Sequence, residues 1–171
     1  MEWYFLLGIS TGMRTMTATA VMCWFAYWQL LPQKGWASWT GLLATAIVFM
    51  VLAVGEYIGD LLPQTPNRTA PGPLAARIVF SGFVGALAAH ALIEPLAGGV
   101  ILGVLGALVG AYGGMWLRMQ GTKLLKRDMP VGLLESLLAL VIAAIAARGL
   151  HEAAVSEGLA TAVHSFSWIP F

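Results

Sequence analysis

Five apolar stretches, each close to the length a lipid bilayer demands, limit what this chain can fold into more than any other feature. A hydrocarbon core about 30 Å thick needs about 20 apolar residues at a helical rise of about 1.5 Å. Stretches 3–31, 41–62, 74–93, 98–117 and 131–150 reach that length. Pro32, Pro63, Pro66, Pro71, Pro73, Pro95 and Pro130 fall at the joints, where helices must stop or start. Only 10% of the residues are charged and 59% are hydrophobic, whereas roughly 25% are charged in a soluble domain. The sequence therefore predicts an all-α polytopic membrane bundle of about five transmembrane helices over residues 1–150. A more polar tail, 151–171, follows, either as a short helix on the outer leaflet or folded back over the bundle. The bilayer is the expected partner, and a net charge of +1 gives no reason to invoke nucleic acid.

Lysine and arginine in short loops set orientation. With five spans, the second and fourth loops share a side with the N-terminus. Those loops and their borders hold Arg68, Arg77, Arg118, Lys123, Lys126 and Arg127, against Lys34 and Arg148 opposite. The excess predicts an inner (plasma) membrane protein with a cytoplasmic N-terminus and the C-terminus outside. Trp24, Trp28, Trp36 and Trp39 would form the outer aromatic belt, and Trp3, Tyr57 and Trp116 the inner one.

The third and fourth spans carry small residues at close-packing intervals: Gly82, Gly85, Ala86 and Ala89, then Gly99, Gly103, Gly106, Gly110 and Gly114. Glycine lets helix backbones approach in lipid, so these strips predict packing within the bundle or a homodimer through the two spans. A pore-lining or ligand-facing strip is the alternative. A weak internal echo relates 8–13 to 110–115 and 41–43 to 132–134. An offset of three spans would make the two copies an inverted repeat, as in many transporters.

The first span holds the most chemistry. In Gly8-Ile-Ser10-Thr11-Gly12-Met-Arg14-Thr-Met-Thr, two glycines, several hydroxyls and an arginine interrupt an apolar run. Arg14 lies about 16 Å in at 1.5 Å per residue, where an unpaired charge is costly and should face the bundle interior. A helix broken at Gly8–Gly12 would present amides and a positive dipole end to an anion. Glu56 and Asp60 share one face of the second span, and Glu135 lies at similar depth on the fifth. Facing inward, Glu56 and Glu135 would form a carboxylate pair able to bind a cation or relay protons. Simple neutralisation of Arg14, Arg77 or Arg118 is the plainer role. In the proline-rich loop 60–73, Thr65, Arg68 and Thr69, with Arg77 beyond, could hold a phosphate or an anionic lipid headgroup. No spacing of His90, Glu94, His151 and Glu152 matches a metal signature, and none is expected. No cofactor motif or catalytic residue stands out.

Gly12-x-Arg14, then Asp60-x-x-Pro63-x-Thr65-Pro66-x-Arg68-Thr69-x-Pro71 and Ala76-Arg77 before a glycine-rich span, resemble a family of small bacterial integral membrane proteins carrying a domain of unknown function. The resemblance covers most of the chain up to about Glu135. It implies a bacterial inner-membrane location, brings no activity, and points to Arg14, Glu56, Asp60, Pro63, Arg68 and Arg77. The residues themselves favour a small transporter or channel-like protein for a solute or ion, with Ser10, Thr11, Arg14, Glu56, Asp60 and Glu135 around an intramembrane site. The alternatives are a membrane enzyme or carrier binding an anionic, phosphorylated lipid, and a ligand-free structural or assembly protein.

Overall fold

A computed structural model describes residues 1–59, 71–125 and 128–160, which are helical with short connections and no strand. The helices are α1 (Glu2–Met13), α2 (Thr17–Tyr27), α3 (Leu43–Gly59), α4 (Pro71–Ala91), α5 (Leu96–Leu125) and α6 (Asp128–Ser156), with a 3₁₀ segment at Gly35–Gly41. Proline opens α4 at its first position, where a missing N–H costs nothing. The Ile93–Pro95 turn separates α4 from α5.

Among the described residues three helices, α4, α5 and α6, are long and apolar enough to cross a membrane. A fourth crossing exists if the 3₁₀ segment and α3, bent by 67°, count as one span. Five spans are thus not confirmed among the described residues: the second stretch counts only as the bent pair, and the first departs most from expectation. Instead of one span it forms two half-length helices of 12 and 11 residues. Each is only about 17 Å long at 1.5 Å per residue.

Contacts fix their direction. Trp3 packs on Gly149, Ser10 Oγ donates to Ala139 O at 2.8 Å, and Arg14 Nη2 donates to Gly132 O at 3.1 Å. α1 therefore runs antiparallel to α6. α2 starts beside Tyr57 and ends where His151 Nδ1 meets Leu30 O at 2.7 Å. The chain enters beside the C-terminal end of α6, turns near mid-bundle and returns to the end it left. α1 and α2 are a helical hairpin whose tip is Arg14–Met16.

This hairpin corrects the expected topology. The N-terminal end of α1 lies at the same end of the bundle as the α4–α5 turn, with Tyr4 OH donating to Glu94 Oε2 at 2.9 Å. It lies opposite the C-terminal end of α5, which carries Arg118 and Lys123, and together with the C-terminal end of α6, not across from it. Tyr57, expected in an interfacial belt, sits at the hairpin tip. Residues 151–156 extend α6, and Ala154 and Ala160 are buried in the core, so this part of the tail belongs to the bundle. Residues 161–171 lie outside the described residues.

Glycine explains the tightest seams. A Cβ at Gly8 would overlap the carbonyl of Gly103, one at Gly12 that of Ala107, and one at Gly106 that of Phe5. α1 and α5 therefore run parallel with their backbones in contact. Gly85 and Gly99 meet in the same way between α4 and α5. Lipid offers no hydrophobic force between helices, so this backbone contact supplies van der Waals attraction that larger residues would prevent. The strips pack helices within one chain, one of the two roles expected of them. Gly8 and Gly12, expected to break the first helix, pack it instead. The internal echo is not confirmed: residues 8–13 end a half-helix, while 110–115 lie inside the unbroken α5.

α3 is attached differently. It buries only Ala46 and Ala53, two turns apart on one face. Ile47, Val48, Val51, Leu52, Val54 and Ile58 are exposed, the surface that a bilayer rather than protein would cover.

Candidate functional site

The hairpin tip brings a buried arginine and a glutamate together. α1 ends at Met13 because Arg14 turns to an extended conformation, φ −142° and ψ 111°, while its N–H still reaches Ser10 O at 2.7 Å. α2 then begins behind Met16, a residue with no side-chain oxygen to cap the helix. Uncapped amides at a helix start need an acceptor. Glu56 of α3 supplies it: Thr15 N donates to Oε1 at 2.8 Å and Met16 N to Oε2 at 2.9 Å. The carboxylate lies at the positive end of α2 and satisfies both amides of the turn, as a bound anion would.

The next residue of α3 completes the clasp. Tyr57 OH and Thr17 Oγ1 are 2.8 Å apart, and the guanidinium carbon of Arg14 stands 5.4 Å from the centre of the Tyr57 ring. A desolvated cation–π contact of this kind contributes on the order of 2 kcal/mol. Arg14 is 1% exposed, and its hydrogen bond to Gly132 O joins the tip to α6. Gly132 O also accepts from Ser136 Oγ at 2.8 Å.

Register places Arg77 in the same layer. Gly85 meets Gly99 and Ser81 meets Gly103, so Arg77, one turn further down α4, lies near the level of Ala107, which packs on Gly12 of α1. That level is about 16 Å along α5 from Leu96 at 1.5 Å per residue. Arg77 is buried, and both arginines are engaged with neighbours. Glu135 is buried on α6, its carboxylate set against Gly114 of α5 and Met13 of α1.

The structure brings Arg14 and Glu56 together at the hairpin tip and sets Glu135 against Met13 beside it, while Arg77 is fixed in height, near the level of Ala107. It shows Glu56 and Glu135 with different partners rather than as a facing carboxylate pair: Glu56 is bound to the amides of the tip, and the Glu135 carboxylate is set against Gly114 and Met13. Ser10 and Thr11 are closed off in helix contacts, Ser10 to Ala139 O and Thr11 to Leu7 O at 2.9 Å. Asp60, Thr65, Arg68 and Thr69 lie outside the described residues. Tyr57 and Gly132 were missed as site residues. An aromatic next to an intramembrane glutamate could have been suspected, but a backbone carbonyl acceptor leaves no trace in sequence. Thr19 Oγ1, fully buried on α2, makes no hydrogen bond among the described residues.

Two further features frame the site. At the upper end His90 Nε2 lies 2.8 Å from Lys34 O, and Gln33 Nε2 donates to Leu87 O at 3.1 Å. With His151 on Leu30 O, these bonds pin the chain leaving α2 to α4 and α6. No group of three potential metal ligands occurs among the described residues. At the lower end a cleft of about 200 Å³ opens between α5 and α6, lined by Leu117, Arg118, Gly121, Val131, Leu134, Glu135 and Leu138. Of the expected triad Arg14, Glu56 and Glu135, only Glu135 reaches it. No family model, no curated protein and no solved structure matches this chain.

Proposed function

We propose that this is a small multi-pass transporter or channel-like protein for a small anion, with the α1–α2 hairpin as its re-entrant, selectivity-bearing element. The observation that carries the reading is the break in the helix at Arg14–Met16, inside the bundle, with Arg14 extended and the Thr15 and Met16 amides held by the Glu56 carboxylate. Irregular backbone at membrane depth is tolerated where it is enclosed by protein or lines a wet cavity. Half-helix N-termini at that depth serve anionic groups in transporters. Here Glu56 occupies the position a substrate anion would take. α3, which carries it, is held to the bundle by small residues and these polar bonds. Displacement of α3 would exchange the internal carboxylate for an external anion between the Thr15 and Met16 amides, beside Arg14. The unsatisfied hydroxyl of Thr19 gives the dry interior one further polar group.

Location and orientation belong to the same proposal. Arg118 and Lys123 near the C-terminal end of α5, against Lys34 and Arg148 towards the other end, favour the α5 C-terminal end as the cytoplasmic one, in a bacterial inner membrane. The N-terminal end, which has no lysine or arginine before Arg14, then lies outside. The family resemblance in the 60–71 loop supports the same membrane.

Anion flux into proteoliposomes tests the reading, with chloride and then inorganic phosphate as probes. Glu56→Gln keeps the shape of the side chain, removes its charge and is expected to change flux at least about tenfold, the size of one charge-assisted hydrogen bond. Wild-type vesicles that pass neither anion faster than protein-free vesicles would reject the proposal. A second reading, a lipid-binding protein, is favoured by the lateral cleft alone.

A further inference from the structure

A second cleft, of about 250 Å³, opens between the C-terminal end of α2, the connection that follows it and the start of α3. Tyr27, Gln29, Lys34, Ser38, Gly41 and Leu42 are among the residues that line it. It lies at the upper end of the bundle, where Trp28, Trp36 and Trp39 are exposed, as at a membrane boundary. Its electrostatics favour an anion. Lys34 is the single charged residue of the lining, and its side chain is exposed, like those of Gln29 and Ser38. α3 begins at Leu43, beside the cleft, and has no acidic residue in its first turn. The first amides of a helix have no partner within it and carry its positive end. The opposing negative end, that of α2, is partly satisfied within the turn: Trp24 O, Phe25 O and Ala26 O accept from the amides of Trp28, Leu30 and Gln29 at 3.0, 2.9 and 3.0 Å. A lysine beside open helix amides suits a small anion.

The two walls of the cleft are held differently. One is the connection after α2, pinned where His90 meets Lys34 O, His151 meets Leu30 O and Gln33 donates to Leu87 O. The other is α3, which buries only Ala46 and Ala53. Ala46 is one turn beyond Leu42, and the packing of α3 on α2 runs from there to the bond between Glu56 and Thr15 N at the hairpin tip. Cleft and tip thus stand at opposite ends of one interface, separated by the 11 residues of α2, about 17 Å at 1.5 Å per residue. We infer that this cleft is an external binding site for a small inorganic anion, held by Lys34 and the opening amides of α3, and that it feeds the hairpin tip along the α2–α3 interface. The feeding step rests on the anion-transport proposal; binding at the cleft does not.

Thiol labelling in proteoliposomes tests both parts. Cys23 is the sole cysteine, so Cys23→Ala gives a background in which introduced thiols report. Ser38→Cys, at an exposed position of the lining, reads the cleft. Anionic and cationic methanethiosulfonates are compared there, each relative to its rate with a free thiol in solution. The anionic reagent is expected to be favoured on the order of tenfold, the lower range of electrostatic focusing. Replacing gluconate by chloride or inorganic phosphate at constant ionic strength should slow it. Lys34→Gln should reduce the preference to about threefold or less. Ala46→Cys, fully buried one turn further in, reads the passage and should react from outside while chloride flux runs; Ala53→Cys is the second reporter if the first disturbs packing. Equal rates of the two reagents at Ser38→Cys, or a preference unchanged by Lys34→Gln, would overturn the anion site. A preference there with both buried thiols inert during measurable flux would overturn the passage. A preference without any chloride or phosphate flux would reject transport, and the feeding step with it, and leave the cleft as an anion site.

Discussion

The two sides of α5 use glycine for opposite ends. Toward α1 and α4, Gly99, Gly103, Gly106 and Gly110 bring backbone against backbone, and a single methyl would meet a carbonyl of the neighbouring helix. Toward α6, Gly114 and Gly121 leave room for side chains, and those of Glu135 and Val131 take it. One seam is closed and apolar. The other is filled by flexible groups and continues into a cleft. In a membrane, where water does not drive helices together, the same residue can thus close a contact or make space for a polar one. Which it does depends on what the opposite helix presents.

Substitutions along α5 and its partners can break this contrast. The largest effect is expected at the closed seam: Gly8→Val places a branched side chain against the Gly103 carbonyl and should cost about 3 kcal/mol or more, since neither backbone can yield. Unfolding of the purified protein by a denaturing detergent measures it, and near wild-type stability would mean that the seam is looser than described. Gly114→Ala should cost less, about 1 kcal/mol, because the group it meets is the end of the Glu135 side chain, which can move. A loss as large as that of Gly8→Val would show Glu135 to be rigidly held and would erase the difference between the seams. The smallest effect is expected at Gly113, whose added Cβ meets nothing within 4 Å. Gly113→Ala should leave stability unchanged or raise it by up to about 1 kcal/mol through helix propensity. Measurable destabilisation there would imply a further partner against that face.

Much of the site was legible because charge in hydrocarbon is conspicuous. Arg14 stands out in an apolar run, and its cost there forces it inward whatever the fold; it is indeed buried. Glu56 and Glu135 stand out for the same reason. Their roles were not legible. A pair of carboxylates at equal depth reads as a cation site, whereas Glu56 is committed to two backbone amides, and amides carry no sequence signature. Glycines in the first stretch read as helix breakers, because a break was expected from the arginine nearby. The break is a few residues further on, at Arg14–Met16, where α3 provides the carboxylate that accepts from the Thr15 and Met16 amides.

From its sequence alone this chain is committed to a helical life in lipid. The lengths of its apolar runs, the prolines between them and the small-residue strips decide that, since hydrocarbon leaves a backbone few ways to satisfy its own hydrogen bonds. Only the tertiary structure decided that the first stretch doubles back. A kinked span and a hairpin of two half-helices have the same composition and hydropathy. They differ only in where the second half finds its partners, and those partners, Tyr57, His151 and the carboxylate of Glu56, are supplied by helices far along the chain.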